Sequence, residues 1–133
     1  MKYLLDTNVC IRYLNGLSSK VRDHLELIQP DEVVLCSVVK AELFFGALKS
    51  ARPKKNLGSA QRFTGRFPSL PFDDSAAFAY AEIRSTLEKA GTPIGPNDLM
   101  IAAIAQAQRI TLVTHNLKEF SRVPGLELED WEA

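Results

Sequence analysis

Three carboxylates and one amide, Asp6, Glu42, Asp98 and Asn116, stand where a sheet-based fold would bring them to one edge. Asp6 directly follows the apolar run Tyr3-Leu4-Leu5, and Asn116 comes just after Thr111-Leu112-Val113. Glu42 lies behind Ser37 among Val38, Val39, Ala41, Leu43, Phe44 and Phe45, with no base at the helical spacing that would pair it. Asp98 falls in the first turn of a helix opened by Pro96. Carboxylates brought together raise one another's pKa and do not all ionise comfortably without a cation. A hard divalent ion with oxygen ligands relieves the repulsion, and Mg²⁺ needs only one or two carboxylates beside its waters. Such an ion lowers the pKa of a bound water and neutralises charge developing on a phosphate. The chemistry expected is metal-assisted hydrolysis of a phosphodiester.

Each residue also has a purely structural alternative. Asp6 could cap the following helix through an Asx turn. Asp98 gains about 0.3–1 kcal/mol from its helix dipole whatever else it does, and Asn116 suits a turn. Glu42 has the weakest alternative, because a carboxylate buried without a partner in an apolar helix is costly. The conjunction of the positions carries more than any one of them.

The elements that must position these residues follow from apolar periodicity and breakers. Tyr3–Leu5 and Val33–Leu35 read as buried strands, and Ile110–Val113 as a third. A helix runs over Thr7–Asn15 to Gly16, and a second, capped by Ser18-Ser19, ends before Pro30. Ser37 is a natural N-cap for a helix to about Ser50. Pro53 interrupts, Asn56–Phe67 forms a further helix, and Pro68–Phe72 holds a turn and a short strand. Asp73 or Asp74 caps a long helix ending at Gly91, and Pro96 opens the helix through about Gln108. Strands alternating with helices imply an α/β domain with a largely parallel sheet, whose sites form at the carboxyl ends of its strands.

At 133 residues the chain has the length of one domain, taken as residues 1–133. A hydrophobic fraction of 46% and a charged fraction of 24% are ordinary for a globular protein. No apolar run approaches the roughly 20 residues that span a bilayer, and the N-terminus does not read as a signal peptide. A cytoplasmic location is expected. Cys10 and Cys36 sit in apolar surroundings and read as buried, reduced thiols. His24 reads as a surface residue, and His115 as a turn residue beside the site that could reach a phosphate. Net charge is zero, but no acid lies between Leu43 and Phe72, where Lys49, Arg52, Lys54, Lys55, Arg62 and Arg66 fall. That segment is either a solvated face or a strip that grips a nucleic-acid backbone.

Four stretches resemble the motifs of PIN-domain nucleases. They are Leu4-Leu5-Asp6-Thr7-Asn8, Ser37 through Gly46 around Glu42, Ile94 through Ala103 around Asp98, and Val113-Thr114-His115-Asn116 through Leu126. They occur in the expected order over nearly the whole chain, and the resemblance is strongest to VapC-type toxins of bacterial toxin–antitoxin modules. The lead-in Thr92–Pro96 and the ending Glu129-Asp130-Trp131 resemble members that cleave tRNA in the anticodon stem-loop. The resemblance implies a PIN-like three-layer α/β fold and an Mg²⁺-dependent endoribonuclease, with Mn²⁺ able to substitute. It implies that Asp6 and Asp98 bind the metal directly, and that Glu42 acts through a coordinated water or by orienting the nucleophile. It also implies a homodimer, an RNA substrate and a VapB-type antitoxin that blocks the site. Asn116 stands where many members carry Asp, so one resident Mg²⁺ is expected, with at most a second arriving with substrate. Asn8 and Thr114 resemble groups that orient the carboxylates. Glu119 is a reserve acid whose simpler reading is an exposed helical position.

Two rivals differ in class. A phosphatase with a nucleophilic Asp after the first strand needs a second acid two residues on, where this chain has Asn8. A catalytically silent PIN-like module that binds RNA or protein is encouraged by Asn116 alone and opposed by three intact acids.

Overall fold

A parallel strand covered on both faces reads as an unbroken apolar run, and β1 (Tyr3–Leu5), β2 (Val33–Cys36) and β4 (Thr111–Val113) do so. In the computed structural model, which describes residues 1–133, they form the centre of a five-stranded sheet. The two-residue strands β3 (Ser69–Leu70) and β5 (Leu128–Glu129) are its edges. Every pairing is parallel, in the order β3-β2-β1-β4-β5. Leu4 of β1 lies opposite Val34 on one side and Leu112 on the other. The winding direction reverses between β1 and β4, so the crevice beyond their carboxyl ends is where such a sheet takes a ligand.

Helices flank the sheet: α1 (Thr7–Leu14), α2 (Ser19–Leu27), α3 (Ser37–Leu48), α4 (Pro53–Thr64), α5 (Asp74–Lys89), α6 (Pro96–Gln108) and α7 (Leu117–Phe120). This is the α/β architecture expected. Two caps sit where the residue types put them. Ser18 accepts the Val21 N–H at 3.2 Å, and Asp73 accepts that of Ala76 at 2.9 Å. α6 is the central helix: Ile101 through Ala105 have almost no exposure, and α5 packs along it.

Several boundaries differ from expectation: β2 extends to Cys36, α1 stops at Leu14 and α4 at Thr64, and three further differences have a plain local cause. Ser37 is the first residue of α3 rather than its cap, because β2 runs straight into the helix and leaves Cys36 at the cap position without a side-chain bond. Pro53 opens α4 rather than interrupting the chain before it; at a first helical position proline lacks only an N–H that the helix does not use. β4 begins at Thr111, not Ile110, because Ile110 is occupied in closing α6. Its N–H returns to the Ala105 carbonyl at 3.1 Å over Arg109, which holds the left-handed conformation (φ 55°) usually given to glycine.

Candidate active site

Asp6 is where β1 turns into α1. Its N–H still pairs with Val113 of β4 at 2.9 Å, so the ladder reaches one residue beyond the strand. Its Oδ1 accepts the Thr7 N–H at 2.8 Å, which is the capping role that the sequence allowed. That uses one oxygen. The other, Oδ2, accepts the Thr114 hydroxyl at 2.9 Å across the β1–β4 boundary. Asp6 is 3% exposed. Burial raises its pKa, the bonds from Thr114 and Thr7 pull it down, and the charge of Glu42 pushes it up again.

Glu42 reaches the same place from α3. It is half-buried, and its Oε1 accepts the Thr7 hydroxyl at 2.5 Å. Thr7 therefore serves two acids, its N–H on Asp6 and its hydroxyl on Glu42. Of the two orienting residues expected, Thr114 is fully buried and makes its bond, whereas Asn8 is exposed and Thr7 holds the role instead. A threonine at a first helical position carries no sequence mark of such a task.

Asp98, half-buried in the first turn of α6, has its pKa pushed up to about 6, first by burial and then by the charges of Asp6, Glu119 and Glu42. Glu119, half-buried on α7 just past the end of β4, is thus close enough for its charge to act on Asp98. Asn116 stands at the N-cap position of α7. Its N–H donates to the Thr114 hydroxyl oxygen at 3.0 Å, and its side chain makes no cap on α7. The Thr114 hydroxyl joins the two, accepting from Asn116 and donating to Asp6.

The remaining polar candidates are elsewhere. His115 is exposed and bonds Asp130, and His24 is exposed but stacks on Trp131 with ring centroids 4.8 Å apart. Cys10 and Cys36 are free and buried; burial pushes the Cys36 thiol up to about 11 and that of Cys10 well above its ordinary value. Thiols so held are inert near neutral pH. A groove of about 520 Å³ runs beside Glu42 between α1, α3 and α4, floored by Ile11, Leu14 and Leu43 and rimmed by Lys55 and Asn56. The six basic side chains from Lys49 to Arg66 are all exposed.

No basic side chain is bonded to Asp6, Glu42, Asp98 or Glu119. An all-oxygen donor set whose members repel one another fits a hard divalent cation.

A parallel sheet with acids gathered near its switch point defines an α/β domain with an acidic edge. Residues 3–126 match the family model described as the PIN domain, and the chain belongs to the PIN-domain family, in its VapC group. It is 38% identical over 131 residues to the tRNA(fMet)-specific endonuclease VapC of Salmonella typhimurium, covering 98% of each chain. It is 40% identical over 133 residues to the ribonuclease VapC2 of Rickettsia felis, covering 99% of each. The crystal structure of DNA-bound VapBC from Salmonella typhimurium contains a chain that superimposes with a TM-score of 0.94 over 98% of both. No helix is long and apolar enough to cross a membrane.

Proposed function

We propose that the chain is a metal-dependent endoribonuclease, the toxin of a VapBC-type pair, acting in the cytoplasm as a single-domain protomer of a homodimer. What supports this reading is that Asp6, Glu42 and Glu119 each add to the burial that raises the Asp98 pKa, beside the β1–β4 switch point. Asp6 and Asp98 would hold Mg²⁺, with Mn²⁺ as substitute, and the ion would supply charge neutralisation and an acidified water. Asp6 is fixed for the task by Thr7 and Thr114, which occupy one lone pair on each of its oxygens. Glu42, steadied by Thr7, orients the attacking water and takes its proton. Glu119 supplies the fourth carboxylate, so the amide at Asn116 does not leave the cluster one charge short; Asn116 positions water or a phosphate oxygen instead.

RNA is the substrate class, and tRNA is favoured by the names of the full-length relatives. Lys54, Lys55 and Arg62 are exposed on α4, and Lys55 lines the groove beside Glu42, a placement that suits a phosphate backbone. The partner is a VapB-type antitoxin, as in the structures resembled. Phe45 and Leu48, 63% and 58% exposed on α3 next to the groove, give it an apolar seat.

Purified protein freed of antitoxin tests the reading. RNA cleavage that requires Mg²⁺, stops with chelator and is lost in Asp6→Asn and Asp98→Asn is the expected result. Undiminished cleavage by both variants overturns the site. No cleavage of total cellular RNA by the wild type in Mg²⁺ or Mn²⁺ overturns the activity and leaves the silent binding module.

A further inference from the structure

A second cluster of ligand-type atoms uses none of the four acids. His115 Nδ1, in the β4–α7 connection, lies 2.9 Å from Asp130 Oδ2 and 3.8 Å from Glu132 Oε2. The three ligand atoms are all within 4.8 Å of one another. The Glu132 side chain is only 8% exposed. Arg12 takes its Oε1, but Oε2 is buried, has no hydrogen-bond partner and faces the imidazole nitrogen. A charged oxygen kept from water without a partner is costly, and folds seldom retain one for nothing.

We propose that His115, Asp130 and Glu132 form a second metal site, selective for Zn²⁺ over Mg²⁺. One imidazole and two carboxylates leave an open fourth position for water, a ligand set that zinc accepts. Ligand atoms around a tetrahedral ion with bonds of about 2.0–2.1 Å stand roughly 3.3–3.4 Å apart. The separations of 2.9 and 3.8 Å measured from His115 Nδ1 straddle that value, so small rotations of exposed His115 bring its two distances into range. Imidazole favours the later first-row divalent ions, whereas the all-oxygen cluster at Asp6 suits Mg²⁺. The two sites therefore sort the two metals.

Both carboxylates are already fixed. Asp130 Oδ1 accepts the Glu132 N–H at 2.9 Å, and Arg12 anchors Glu132 from behind. The nearby Lys20 bonds the Ala133 carbonyl oxygen and leaves the cluster free. On binding, the ring carries its proton at Nε2 and gives the Nδ1 lone pair to the ion. The ladder between β4 and β5 ends with the Thr114 N–H on the Glu129 carbonyl at 2.9 Å. A metal held by the next residues on both sides continues the connection where the hydrogen bonds stop. It ties the tail to the segment carrying Thr114 and Asn116.

The test uses the Asp6→Asn/Asp98→Asn protein, which loses the two proposed metal ligands of the acid cluster, so the result does not depend on nuclease activity, and His115→Ala separates any zinc held there by Glu42 and Glu119. Calorimetric titration with Zn²⁺ should give one equivalent per chain and a raised Tm, while Mg²⁺ at the same concentration gives neither. Co²⁺ should produce visible absorption bands with a nitrogen ligand's signature. In that background His115→Ala, a change at an exposed side chain that leaves folding intact, should weaken zinc binding by about 100-fold or more and abolish the cobalt bands. Glu132→Gln should weaken it as well; if that variant does not fold, His115→Ala decides alone. Zinc affinity unchanged by His115→Ala, or no stoichiometric zinc uptake by the parent, overturns the proposal.

Discussion

Asp98 decides when the acid cluster can take a cation. With its pKa near 6 against an ordinary 3.8, the folded chain without metal holds this proton more tightly than the unfolded chain does. The sign follows from linkage: stability falls as pH rises between these values, and the penalty is complete above the folded pKa. Asp98→Asn should therefore raise the Tm of the metal-free protein at about pH 7.5 and change it little near about pH 4. Saturating Mg²⁺ should erase the difference at the higher pH, because binding the ionised wild type stabilises it. The acid limb of nuclease activity should move to lower pH as Mg²⁺ is raised. A Tm difference independent of pH would show that folding leaves the Asp98 pKa unshifted. Thr114 gives a companion case. Thr114→Val removes the hydroxyl from Asp6 and from the Asn116 N–H, which should cost about 1.5–3 kcal/mol in a urea melt. Losing that bond also raises the Asp6 pKa, so the acid limb shifts upward; Thr114→Ser should restore both.

At the scale of elements, α4 bears on substrate. Lys54, Lys55 and Arg62 are exposed along it, and Lys55 rims the groove that Glu42 lines. Neutralising all three in a cleavage-dead background should reduce the steepness of log K against log salt by about 2, at about 0.7 per phosphate contact on single strands. An unchanged slope would place the RNA on another face. The same helix shows what the sequence could and could not disclose. Its amphipathic pattern announces a helix, but a proline can either break one or begin one, and only packing chooses. The acids at Asp6, Glu42 and Asp98 were legible because each is tied to a plain element: Asp6 ends an apolar strand, Glu42 sits within an apolar helix, and Asp98 lies in the first turn of a helix opened by Pro96. Glu119 was legible only as a reserve acid with an exposed helical position as its simpler reading, because α7 is a single turn, Leu117–Phe120, too short for periodicity to say which way a side chain faces. β5 was invisible for the same reason: two residues cannot alternate. Thr7 differs in kind, since its role depends on Glu42 arriving from another helix.

For the whole molecule, the tail is a structural member. Trp131 is 3% exposed, meets Tyr3 of β1 edge to face at 5.3 Å and stacks under His24 of α2. Trp131→Ala should cost about 3–5 kcal/mol in chemical denaturation, more than an equivalent change at an exposed aromatic such as Phe78, which is 69% exposed. Equal losses at the two positions would mean that the tail contributes nothing to the core. The central pairing sets a further condition. Asp6 and its hydroxyl partner Thr114 are 108 residues apart, and β1 lies directly against β4. Contacts that distant form late and slowly. On a ribosome the first strand must therefore wait, without its neighbour, until nearly all of the chain has been made. A half-synthesised copy has Asp6 but neither Asp98 nor Thr114, and so no place to hold an ion. For a chain whose proposed activity attacks RNA, the order of synthesis is itself a safeguard: the product cannot act on its own machinery before α6 and β4 have been made.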